Sequence, residues 1–194
     1  MKTFVLIAFF FVTSFANATE FSQDGVILVK EQEMLDRWNS AEKAEILEKL
    51  NLAHELAIKI VEKAATDNPW THGFFGQNRI YKNLALRLKK TQLNIISPDS
   101  KSRYCSGGNV LAFAINYVGK DMNVCPIGLF QSPELMAQIF IHEGAHLVTG
   151  GDECKATVIE TVAMLQSDIP VALANGYWEQ CKTAKFINKV QSLL

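Results

Sequence analysis

The chain has 194 residues, 48% hydrophobic and 20% charged, with 19 Lys and Arg against 20 Asp and Glu for a formal net charge of −1. This balance gives nucleic acid and anionic membrane surfaces no electrostatic hold, since both are bound mainly through clustered positive charge. The length suits one domain with a sizeable core.

The first 18 residues, MKTFVLIAFFFVTSFANA, have Lys2 as their only charge, an apolar run from Phe4 to Val12, and small residues at Ala16 and Ala18, the positions a signal peptidase reads. The run falls short of the ~20 residues that span a bilayer, so residues 1–18 are expected to be a secretory signal peptide cleaved after Ala18. The mature protein is then expected in the periplasm or outside the cell, with no membrane partner. Residues 19–194 are expected to form one domain, helical over 19–100 and carrying the chemistry over 101–194.

Cys105, Cys125, Cys154 and Cys181 all lie beyond the signal. An even count at wide spacing in an exported chain favours two disulfides. Of the three pairings, Cys105–Cys125 with Cys154–Cys181 is preferred: the first closes a short extended segment and the second ties two C-terminal helices. The absence of CxxC leaves a zinc ribbon or thioredoxin-like site without support.

Residues 31 to 65 read as helix, with Leu47, Leu50, Leu56, Ile60, Val61 and Ala64 at three-to-four spacing as a core stripe. Ser40 is the expected cap dividing it in two, and Asp67-Asn68-Pro69 ends it. His54, within it, reads as a satisfied or surface histidine. WTHGFFGQNR (70–79) is a glycine-broken aromatic loop, with His72 as an anchor or pocket residue. Residues 80 to 96 fit helix and strand equally, and Ser97-Pro98-Asp99-Ser100 is a turn. Beyond Gly107-Gly108, β-branched and aromatic residues on both sides of Gly119-Lys120-Asp121 predict a hairpin of about 110–118 and 122–125.

Ser132-Pro133-Glu134 is a helix start, combining an N-cap, a proline at the first helical position and an acid in the first turn. Gly150-Gly151 ends that helix. A second helix is predicted from Asp152 or Glu153 to about Gln166, and a last one over 171–192, interrupted at Gly176.

The first of these helices carries HEGAH, residues 142–146. Residues four apart share a helix face, so His142 and His146 can converge on one tetrahedral metal ion. Glu143 points about 100° around the axis, toward a water beside the metal, where a carboxylate can take and return a proton. This is the HExxH signature of zinc hydrolases. A catalytic zinc needs a third protein ligand. Asp152 stands where metzincin-like HExxHxxGxxH/D sites place theirs, although Thr149 replaces the glycine of that pattern. Glu153, in DECKA, is similar to the NExxA segment of gluzincins, and Glu160 lies two turns further on the same face. Glu153 is favoured, because a long side chain in a first helical turn reaches back across the Gly-Gly bend while Asp152 suits the N-cap.

From Tyr104 to about Leu165 the chain resembles the catalytic half of secreted zincin metallopeptidases, and is most similar to the deuterolysin and peptidyl-lysine metalloendopeptidase group. It shares with them a Cys-flanked extended segment running into IFIHEGAHL. The resemblance implies an α+β, zincin-like fold, mostly helical with a small antiparallel sheet or hairpin beside the active-site helix. It also implies a zinc ion on His142 and His146, Glu143 as general base, and an edge strand near residues 122–125 that pairs with an extended peptide. The chain departs from the group's GTxDxxYG, having GGDECKATVIE instead, so neither the third ligand nor a tyrosine donor carries over. Tyr104, Tyr117, Tyr177 and His72 stay open as oxyanion donors.

The expected function is therefore that of an exported zinc-dependent metallopeptidase acting on a peptide or protein substrate. The alternative is a zinc-binding or disulfide-braced helical interaction module with little catalysis.

Overall fold

A computed structural model of the chain describes residues 27–28, 39–67, 77–96, 102–106, 109–115 and 121–171. The expected signal peptide, the 70–76 part of the aromatic loop with His72, the 97–100 turn, Gly107-Gly108, Tyr117, the Gly119-Lys120 turn, and the last helix with Tyr177 and Cys181 lie outside the described residues. Among the described residues, four helices and four strands run in the order β1 (Ile27–Leu28), α1 (Ser40–Asp67), α2 (Gln77–Leu88), β2 (Gln92–Ile95), β3 (Ala112–Ala114), β4 (Asp121–Val124), α3 (Pro133–Thr149) and α4 (Glu153–Gln166). A 3-10 turn at Pro126–Phe130 joins β4 to α3. No described helix is long and apolar enough to cross a membrane.

The helical layer forms because α1 buries Leu50, Ala53, Ala57, Ile60, Val61 and Ala64 along one stripe. Each large apolar side chain so buried contributes roughly 1.5–3 kcal/mol. Leu56 of the expected stripe sits at its margin, partly buried. The cap of α1 differs from expectation: Asn39, not Ser40, supplies it. The Asn39 Oδ1 accepts from the N–H groups of Ala41 and Glu42, and Glu42 reaches back to the Asn39 N–H, a reciprocal capping box. Residues 80–96 prove to be both helix and strand: α2 ends at Leu88, and β2 begins four residues later.

The sheet has the order β1-β2-β4-β3, with β1, β2 and β4 parallel and β3 antiparallel to β4. It is therefore mixed, correcting the expected antiparallel sheet. The predicted hairpin is present as β3 and β4, but β2 pairs with the other side of β4. The expected edge strand at 122–125 is thus interior, and among the described residues β3 is the edge on the side of the site. A period-two pattern could not reveal this, because β2 reaches β4 from 29 residues away, as Asn94↔Asn123 records. Leu93, Ile95, Met122 and Val124 turn inward, all essentially inaccessible.

Gly144, the middle of HEGAH, sets how closely the layers approach. A Cβ there would lie 2.7 Å from Leu84 Cδ1 and 3.0 Å from Leu88 Cδ2, so its absence lets α2 rest against α3. The Cys105–Cys125 disulfide forms as expected, with Cα atoms 5.5 Å apart. Cys154 is disulfide-bonded too, while its expected partner Cys181 lies outside the described residues.

Candidate metal centre

Two polar stripes face each other across α3 and α4. On α3, Gln138, His142 and His146 follow at four-residue spacing, and all three are buried. On α4, Glu153, Thr157 and Glu160 share a face, and Glu160 is 1% exposed. Local signals in the sequence set this up. The Ser132 Oγ accepts from the Leu135 N–H to start α3, and Asp152 Oδ1 accepts from the Lys155 N–H to start α4. Between them Gly150 has φ 93° and ψ −170°, a conformation essentially reserved for glycine. That bend turns the chain so that the first turn of α4 faces the end of α3.

The bend also orients His146. The Gly150 carbonyl accepts from His146 Nδ1 at 2.9 Å, and Glu160 Oε2 accepts from His142 Nδ1 at 2.7 Å. Glu160 Oε1 is itself held by the Gln138 amide. With both Nδ1 atoms engaged, both Nε2 atoms turn toward one point. They lie 3.1 Å apart, and Glu153 Oε2 stands 3.1 Å from His142 Nε2 and 3.2 Å from His146 Nε2. Ligands about 2.0–2.1 Å from a tetrahedral ion are roughly 3.3 Å apart, so this near-equilateral triangle fits three ligands with a fourth position open. His142, His146 and Glu153 are a group that could hold a metal ion. Two imidazoles and a carboxylate suit zinc and other first-row divalent ions.

Electrostatics agree with the geometry. Burial pushes the His142 imidazole toward neutrality, but Glu153 and Glu160 outweigh it and hold its proton up to about 10. The hydrogen bond from His142 pulls Glu153 below the usual carboxylate range despite partial burial, with His146 adding to the effect. Metal-free, the cluster retains a proton where a cation would otherwise balance the carboxylates.

Glu143 stands off the triangle. Its Oε2 accepts from the Ala114 N–H at 2.8 Å, tying it to β3. Burial raises this carboxyl to about 7, against the pull of His142, His146 and the Ala114 N–H. A cation on the neighbouring rings would draw it down again.

The structure thus brings together His142, His146 and Glu153, and places Glu143 beside them. Asp152 is the α4 cap, and Glu160 reaches His142 from behind rather than joining the triangle. Gln138 was not foreseen, although its place four residues before His142 puts it on the stripe of His142 and His146. The role of the Ala114 N–H left no trace in the sequence, since it depends on the pairing of β3. The chain matches no protein-family model, no curated protein and no solved structure, so the reading of this centre rests on its own residues.

Proposed function

We propose that the protein is a zincin-like, zinc-dependent metallopeptidase, exported from the cytoplasm, with His142, His146 and Glu153 as metal ligands and Glu143 as general base. The observation that carries the reading is the convergence of two Nε2 atoms and one carboxylate oxygen at 3.1–3.2 Å, one residue away from a separately anchored acid. Zinc bound there would supply Lewis acidity toward a carbonyl and lower the pKa of a coordinated water. Glu143 would hold and release a proton at its carboxyl group, one oxygen of which is fixed by the Ala114 N–H. Glu160 and Gln138 keep His142 in one tautomer, so that its Nε2 stays directed at the metal position. The outer edge of β3, apart from the Ala114 N–H that Glu143 already holds, offers backbone groups to an extended peptide.

Two histidines and a carboxylate also suit iron(II). The acid adjacent to the first histidine favours hydrolysis, for which such a group has a use. The test is hydrolysis of a peptide mixture by zinc-loaded protein, beside Glu143→Gln. Cleavage lost in the variant with zinc retained supports the peptidase. Full zinc occupancy with no cleavage in either favours the alternative, a zinc-braced interaction module.

A further inference from the structure

Beside β3 lies an apolar surface that neither the metal centre nor the core uses. The Leu111 carbonyl accepts from the Cys125 N–H, and Ala112 and Ala114 are registered with Val124 and Met122. Antiparallel pairing alternates, so 111 and 113 turn their backbone groups toward β4 while 112 and 114 turn theirs outward. The Ala114 bond to Glu143 agrees with this. An extended segment added to that edge would pass directly by Glu143.

Side chains on β3 alternate as well. Ala112 is buried and Ala114 packs against the core. Phe113 projects to the opposite face, as does Ile115 just beyond the strand by the same period of two. Ile115 is 49% exposed, and Phe113 stacks on Tyr104, 41% exposed, with ring centroids 4.5 Å apart. Tyr104 is a built platform: Arg103 covers its ring at 4.9 Å and donates to its hydroxyl at 2.8 Å. The neighbouring Cys105–Cys125 disulfide fastens this turn to the end of β4.

We propose that Tyr104, Phe113 and Ile115 form a specificity ledge, and that the preferred substrate is an extended peptide carrying a bulky apolar or aromatic side chain. The inference rests on the peptidase reading and adds the substrate class. A strand seated on β3 places alternate side chains on the ledge face, where cross-strand aromatic and aliphatic pairs are favourable. A polar side chain in that position would be desolvated against two rings and an isoleucine, and the ledge's own charge, Arg103, is already engaged with the Tyr104 ring and hydroxyl.

The test uses zinc-loaded full-length protein and a series of fluorogenic peptides in which each position near the scissile bond is Phe, Leu, Ser or Asp in turn. The expected result is a preference for Phe or Leu over Asp at one position. Tyr104→Ser and Ile115→Asp should each reduce that preference by roughly tenfold, with zinc content and Tm unchanged. Cleavage without an apolar preference, or with one that both variants retain, overturns the ledge and leaves the peptidase standing. Binding of the same peptides, read by fluorescence anisotropy, separates the remaining outcomes. Ile115-dependent binding without cleavage supports the ledge and refutes the peptidase, while neither binding nor cleavage refutes both.

Discussion

His54 and His142 are buried to nearly the same degree, at 4% and 7% exposure, and His54 sets its ring edge-on to Phe140, two residues before His142. His54 Nε2 donates to the Leu88 carbonyl at 2.9 Å, and burial lowers its pKa despite that bond and nearby Glu55. His142 feels the same desolvation, yet two carboxylates reverse the outcome. A backbone dipole can satisfy a buried ring without charging it, whereas buried carboxylates demand a cation. One histidine joins α1 to the end of α2; the other belongs to a cluster of acids gathered where only a proton or a metal ion balances them.

The contrast can be broken at several points. The largest effect is expected from Glu153→Ala, which should abolish retention of metal through dialysis, read by elemental analysis. Asp152→Ala, one residue earlier, should keep the metal. The reverse order would move the third ligand to Asp152. Next comes Glu160→Gln, which should weaken metal affinity by roughly 10–100-fold through loss of the support behind His142. His54→Gln should leave that affinity unchanged in the same competition titration with a chromogenic chelator. In urea unfolding of metal-free protein, Asp152→Ala should cost about 1 kcal/mol, the usual value of an N-cap carboxylate.

The smallest effects concern pH. The lowered pKa of His54 carries no penalty above its unfolded value near 6.5, and costs stability as pH falls from there toward the lower folded value. The raised pKa of His142 in metal-free protein acts in the opposite sense. Its contribution is full below 6.5 and is lost as pH rises to about 10. As pH falls from 7 to 5 the stability of His54→Gln, read by urea unfolding, should therefore gain on wild type. A constant difference across that range would mean that the buried ring takes up a proton as readily as the unfolded chain.

The parts of this account that were legible in the sequence are those encoded within a few residues. Ser132-Pro133-Glu134, Gly150-Gly151 and Asp152 carry their own capping chemistry, and α3 and α4 begin where those residues dictate. HEGAH and the reach of Glu153 follow from helical periodicity alone. What stayed hidden depends on distant pairing. The parallel insertion of β2 beside β4 moved the sheet edge to β3, and with it the anchor of Glu143. Residues 80–96 were ambiguous because two elements share one apolar run, with only Lys89, Lys90 and Thr91 between them. Gln138 is polar inside a helix of strongly apolar character, and its purpose shows only once Glu160 lies opposite.

The central claim is that His142, His146 and Glu153 hold a metal ion, and metal content tests it most directly. Protein purified without a histidine tag would be measured by elemental analysis, wild type beside His142→Ala. The account predicts one zinc per chain in the wild type and none in the variant. Wild type that holds no metal after reconstitution with zinc, or a variant that holds as much, would contradict it.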